Sequence, residues 1–337
     1  MRDLFPNGVP PLWCPLLTHY DSKGAISEAR MTAHLRHLSP FVKGFLIPGS
    51  TGDGWELRER ETERVVEIAL DQAQELGFHL LIGILKSSAE ASQRAIEATM
   101  GRITERTGES DPTAALKKAR VCGFTVCPPA GKALGQEDIL SKLASILETD
   151  LPIALYQLPQ VTKNEMSPDT VKELADRFPN LILFKDTSGS DRVTLSRKYL
   201  GGVFRVRGAE NDYAKWADPG LNLYDGFLLS TANCFARELL QTIEFCQSDD
   251  RNSARAISDR ISAIIIEVFQ LVSPIRSGNA FANANKAMDH LFAFGSKAMD
   301  APPPRLHDGG TLPREIIRRT AEILARHDVL PVTGYMA

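Results

Sequence analysis

Apolar and polar positions along this chain fall into two alternating textures. Short apolar runs read as buried strands: "PLWCPLL", "FLIPGS", "HLLIGIL", "GFTVCPP", "PIALYQLP", "LILFKD", "VFRVRG" and "DGFLLST". Between them lie segments with a helical period, among them "RERETERVVEIALDQAQEL" and "SPDTVKELADRF". The second opens with Ser167 as an N-cap and Pro168 at the first helical position. Eight strands interleaved with helices indicate a parallel α/β fold, and eight is the number that closes a (β/α)8 TIM barrel. A doubly wound open sheet should carry a G-x-G-x-x-G loop after its first strand. This chain has instead "GSTGDG" after the second strand, a weak phosphate signal. After Asn233 the alternation stops. Helical patterns then fill residues 235–272 and 313–327, with "DAPPPRLHDGG" as a proline-rich connection. The pattern therefore predicts a barrel over residues 1–234 and a helical extension over 235–337 packed on it. "MGRITERTGESDP", residues 100–113 with its flank, reads as a polar insertion between the third and fourth strands.

Composition adds mostly exclusions. With 337 residues, 43% hydrophobic and 24% charged, and a net charge of -3, the chain reads as an ordinary soluble protein. Nucleic acid is not expected as a partner, since neutralising phosphates needs a basic surface. The five cysteines (Cys14, Cys122, Cys127, Cys234 and Cys246) show neither a C-x-x-C pair nor zinc spacing, which suits reduced thiols in the cytoplasm. "MRDLFPNGVPPLWCP" lacks the apolar core of a signal peptide, and no apolar run is long enough to span a membrane, so no membrane partner is expected.

One residue breaks the apolar logic. Lys185 ends the run "LILFK", and strand alternation puts it on the same face as Leu181 and Leu183; Tyr156 shares a face with Ala154 in the preceding strand. In a barrel both would end neighbouring strands at the C-terminal mouth, where barrel active sites lie. An amine walled by apolar groups loses its proton more readily and becomes a nucleophile able to form a Schiff base with a ketone, and a tyrosine within reach can move the protons. Taken singly, a strand-end lysine ordinarily snorkels to water, a tyrosine ordinarily fills core, and "GSTG" is ordinarily a turn. Their joint position at three strand ends is what points to a site.

These segments resemble the dihydrodipicolinate synthase / N-acetylneuraminate lyase family of class I, pyruvate-dependent aldolases. "GSTGDGWEL" is similar to the family's G-[ST]-T-G-E loop, "YQLPQVT" to its Y-N-x-P-x-x-T-G segment and "LFKDTSG" to its lysine strand. "GAENDYA" and "GFLLSTAN" fall where the seventh- and eighth-strand segments should. The similarity runs in order from about residue 8 to 295. It implies that Lys185 forms an imine with a 2-oxo acid, that Tyr156 is the acid/base, and that Ser50 and Thr51 bind the substrate carboxylate. It further implies that Leu228 lines the pocket beside the pyruvyl methyl and that Gly208 keeps the site open. No metal or other cofactor is implied, and a homo-oligomer, dimer or tetramer, is. The departures cluster at the second-substrate end. Val161 stands where the synthases carry an arginine, Pro129 and Ala130 where they carry a relay tyrosine pair, Gln157 replaces an asparagine and Lys163 a glycine. Glu210 with Asn211 partly echoes the acidic residues of the lyase branch. Lys86, Lys132 and Lys163 are the cations that could replace the arginine. The resemblance thus implies a Schiff-base lyase or aldolase with a different second substrate. A 2-oxo-3-deoxy sugar acid dehydratase or aldolase, a true dihydrodipicolinate synthase and a non-catalytic 2-oxo acid-binding barrel are the alternatives.

Overall fold

The computed structural model describes residues 4–5 and 8–336. Eight parallel strands close a barrel in chain order: β1 (Leu12–Pro15), β2 (Gly44–Ile47), β3 (His79–Ile84), β4 (Val121–Val126), β5 (Ile153–Gln157), β6 (Leu181–Asp186), β7 (Phe204–Arg207) and β8 (Gly226–Leu228). β8 pairs back onto β1, so no strand edge is left open. One side chain from each strand fills the interior: Trp13, Leu46, Leu81, Cys122, Ala154, Leu183, Val206 and Leu228. The Trp13 indole occupies the space that a Cβ on Gly44 would take, 2.2 Å from its ring, so glycine is required there for close packing. A second, larger apolar layer lies between the strands and the surrounding helices.

The strand ladder corrects one expectation about facing. Ile153 pairs with Leu181, but Ala154 pairs with Leu183, leaving Ile182 as an extra residue. Leu181 consequently packs in the outer layer with the helices, while Ile182 leans on the interior ring. Leu183 and Lys185 still face inward together; Leu181 does not. The polar insertion is corrected too. Residues 100–107 continue the helix Ala89–Thr107, capped by Ser88, with Ile96, Met100 and Ile103 buried along one stripe and the polar residues turned outward. A separate short helix, Pro112–Lys118, leads into β4.

The helix Ala232–Gln247 follows β8, so a border at 234 falls within its first turn. It is tied to β1 by Asn233, which accepts from Leu17 N at 2.9 Å and donates to the Pro15 carbonyl at 3.0 Å. Beyond it lie the helices Arg251–Val272, Ala280–Phe294 and Arg314–Arg326. The helix Ala280–Phe294 has no counterpart in the periodicity reading. It buries Asn283, Asn285, Lys286, Asp289 and His290, polar residues that an amphipathic pattern would place outside. All five cysteines are buried and free. Among the described residues, no helix is long and apolar enough to cross a membrane.

Candidate active site

The ends of β5 and β6 bring Tyr156 and Lys185 side by side, in register with one another. The Lys185 ammonium nitrogen lies 4.0 Å from the centre of the Tyr156 ring. Only 3% of Lys185 is exposed, and burial brings its pKa down to about 7, with Cys127, Glu210 and Cys14 acting in the opposite sense. Among the described residues no carboxylate forms an ion pair with it. Gly208, at the end of β7, makes room for the amine: a Cβ there would stand 2.7 Å from Lys185 Cε and 2.3 Å from Thr187 Oγ1. Burial also pushes the Tyr156 phenol up, so it holds its proton at neutral pH.

Tyr156 Oη donates to Ser50 Oγ across a long 3.4 Å contact, which links the β5 end to the turn after β2. That turn, Ser50–Gly52, is a single 3-10 turn in which Thr51 and Gly52 are buried. Ser50 Oγ also accepts from the indole N–H of Trp55 at 3.0 Å, a contact that spacing alone did not reveal. Trp55 packs with Leu85, Cys127, Tyr156 and Leu158 at the barrel mouth. The sequence-derived residues Lys185, Tyr156, Ser50 and Gly208 therefore converge, and Thr51 sits in the same turn as Ser50. Leu228 stands two residues beyond Gly226, which pairs with Val206, itself paired with Lys185; its side chain belongs to the interior ring.

The loops after β7 and β8 are bound together by Glu210. Its carboxylate accepts from Ser230 Oγ (2.5 Å), Thr231 N (3.2 Å), Thr231 Oγ1 (2.6 Å) and Tyr213 Oη (2.9 Å). Both oxygens are thus engaged, and Glu210 acts on Lys185 only as a nearby charge. Arg207 forms a two-pronged pair with Asp191, at 2.9 and 3.1 Å, and donates to the carbonyls of Ala209, Glu210 and Asn211. This buried arginine, unread in the sequence, shapes the loop that carries Gly208.

The rim where a second substrate would enter is differently built. Val161 is 39% exposed on the short helix Pro159–Thr162. Lys163 folds its amine back onto the Gln160 carbonyl at 2.6 Å, and Lys86 and Lys132 are exposed. The Pro129 carbonyl accepts from Asn164 at 2.7 Å.

Among the described residues, His19, His34 and Asp289 bring three potential metal ligands within 4.8 Å of one another. Their chemistry does not suit a cation. Asp289 already accepts from Arg30 at 2.6 Å and from Tyr335 Oη at 2.7 Å, so a divalent ion would sit against a guanidinium. His19 and His34 share a 3.0 Å hydrogen bond and His34 Nε2 lies 2.9 Å from the Asn233 carbonyl, so both ring nitrogens of His34 are already engaged. The network is complete as a structural one.

Comparison with known proteins agrees with this geometry. The chain is 24% identical over 275 residues to the 4-hydroxy-tetrahydrodipicolinate synthase of Bartonella bacilliformis, covering 80% of this chain and 85% of that one. Its fold is similar to that of YagE, a prophage protein of E. coli K12 belonging to the dihydrodipicolinic acid synthase family and solved in complex with pyruvate. The TM-score is 0.73 at 18% identity, covering 96% of this chain and 100% of that one. It is also similar to the 2-keto 3-deoxygluconate aldolase of Picrophilus torridus, with a TM-score of 0.66 at 19% identity over 84% of this chain and 94% of that one. The profile of the dihydrodipicolinate synthetase family matches residues 111–284, which include Tyr156, Lys185, Gly208 and Leu228. With a barrel of this form and a lysine at the end of its sixth strand, the chain belongs to the dihydrodipicolinate synthetase family.

Proposed function

We propose that this protein is a Schiff-base-forming lyase or aldolase acting on pyruvate or a related 2-oxo acid. The observation that carries the reading is the Lys185 amine, buried with no carboxylate partner among the described residues, its pKa brought down to about 7 by burial. In its neutral form Nζ attacks the C2 carbonyl to give a carbinolamine. Tyr156, still protonated, delivers a proton to the departing hydroxyl, water leaves, and the C=N bond forms. The resulting iminium draws electrons from C3, so a C3–H or C3–C4 bond can break or form without a metal. The carboxylate is taken by Ser50 and Thr51, whose amides open a helical turn and so lack intrahelical acceptors. Gly208 leaves the amine its space, and Leu228 serves the pyruvyl methyl. The reading includes a cytoplasmic homo-oligomer, dimer or tetramer.

Pyruvate with borohydride should leave one reduced adduct per chain, on the peptide containing "LFKDTSG", seen by intact-protein and peptide mass spectrometry. No adduct with any of a panel of 2-oxo acids would leave a non-catalytic barrel as the better description.

The rim supports a second part of this reading. A carboxylate on the incoming substrate needs a cation, and an arginine's planar fork suits it. Val161 offers no donor, and Lys163 is committed to Gln160. This favours a second substrate or leaving group without a carboxylate at that end, such as the hydroxylated chain of a 2-oxo-3-deoxy sugar acid. In a coupled assay with aspartate semialdehyde and dihydrodipicolinate reductase, turnover should be negligible while pyruvate trapping is retained. Robust turnover would make a true dihydrodipicolinate synthase the better description.

A further inference from the structure

The turn that would receive the carboxylate is bonded to distant parts of the chain as well as to itself. It runs Gly49-Ser50-Thr51-Gly52-Asp53-Gly54, and its glycines have wide backbone freedom. Its internal bonds are few: Gly52 N and Gly54 N both donate to the Gly49 carbonyl at 3.0 Å, and Asp53 N donates to the Ser50 carbonyl across a longer 3.3 Å. Asp53 adopts a left-handed conformation, φ 58°, which a non-glycine residue keeps only where its surroundings impose it. The bracing comes from outside. Thr18 Oγ1 donates to the Gly52 carbonyl at 2.6 Å, and Tyr20 Oη donates to Asp53 Oδ2 at 2.9 Å, both from the segment after β1. Besides the Trp55 and Tyr156 contacts to Ser50 Oγ, two more come from the far end of the chain. Asn279 Nδ2 donates to the Ser50 carbonyl at 3.0 Å, 229 residues away, and Lys286 Nζ meets Asp53 Oδ2 at 2.7 Å, 233 residues away. The Lys286–Asp53 pair is buried, with each side chain 2% exposed.

We infer that the C-terminal extension sets the carboxylate-binding turn, and that Asn279 and Lys286 are positioning residues for capture of the 2-oxo acid. This rests on the function proposed above. Asn279 is suited to the task because its two ends do different work. Its Oδ1 accepts from Ala282 N at 2.8 Å and caps the helix Ala280–Phe294, while its Nδ2 reaches across to Ser50. Pulling on the Ser50 carbonyl orients its peptide plane, which also carries the Thr51 amide assigned above to the substrate carboxylate. Lys286 fixes the other end of the turn by holding Asp53 in its left-handed conformation. Burial of Lys286 thereby acquires a reason, while Asn283, Asn285, Asp289 and His290 bond elsewhere: to Ser277, Phe281, Arg30 with Tyr335, and Ala298.

Asn279→Ser separates the two roles, since serine keeps a capping oxygen but cannot reach Ser50. Trapping with pyruvate and borohydride over a range of pyruvate concentrations should show half-saturation raised by about fivefold, the scale of one lost hydrogen bond. The trapping rate at saturation should stay within about twofold of wild type, and the melting temperature should hold. Asn279→Asp, isosteric but without the N–H donor, should behave alike. Amide hydrogen exchange should quicken in peptides spanning residues 49–54 in both variants. Where the wild type forms the adduct, half-saturation unchanged in the variants would overturn the inference, as would a parallel fall in affinity, saturating rate and melting temperature. If the wild type forms no adduct, the proposed function fails by itself, and the exchange measurement still decides: unaltered exchange at 49–54 overturns the positioning role.

Discussion

Lys185 and Lys286 are buried to nearly the same degree, 3% and 2% exposed, yet they sit in opposite electrostatic settings. Lys286 has the Asp53 carboxylate at 2.7 Å and lies 4.8 Å from the centre of the Tyr20 ring. Lys185 has the Tyr156 ring at 4.0 Å, and its nearby acid, Glu210, spends both oxygens on Ser230, Thr231 and Tyr213. A buried amine must either find a counter-charge or give up its proton. The first outcome makes a structural tie and the second makes a reagent. On the function proposed above, the same residue type would serve two purposes in neighbouring parts of one barrel mouth, and the partner would decide which.

The sharpest break of this comparison is chemical. Lys185→Met should abolish the pyruvate adduct altogether, whereas Lys286→Met, where it folds, should still carry the adduct on Lys185. An adduct persisting undiminished in Lys185→Met would dissolve the distinction. Stability should respond with opposite signs. Lys286→Met strands the Asp53 carboxylate in the interior and should cost about 3–5 kcal/mol, read from the guanidinium unfolding midpoint. Lys185→Met removes an amine that burial disfavours and should raise that midpoint.

The smallest effect is the most diagnostic. The folded pKa of Lys185, about 7, lies below its ordinary value of 10.5, so between those values the unfolded chain binds the extra proton. The amine's penalty is full below pH 7 and fades as pH rises toward 10.5. The gain from Lys185→Met should accordingly be largest in mild acid and vanish in alkali. Wild-type imine formation should climb with pH and level off above about 7, as the neutral amine fills. A gain in Lys185→Met that grows with pH would mean that Lys185 is charged and paired in the folded protein.

Much of this was legible in the chain itself. Eight apolar runs spaced by helical segments specify a parallel barrel because strand and helix periodicities report local burial, which sequence neighbours share. The same logic placed Lys185 and Tyr156 at adjacent strand ends and Ser167 at a helix start, where its Oγ accepts from Thr170 N at 3.1 Å. The misreadings have local causes as well. Ile182 bulges, so alternation miscounts Leu181, and the polar outer face of the helix Ala89–Thr107 masks the buried stripe of Ile96, Met100 and Ile103.

What the sequence determined by itself, then, was that Lys185 ends a buried strand. That among the described residues it has no paired counter-charge, while Lys286 has one, was decided only when the barrel closed. Closure brought Asp53 against a helix 233 residues later and turned Glu210 toward the β8 loop. Pairing of that kind depends on distance in space, and neither periodicity nor motif encodes distance between segments so far apart along the chain.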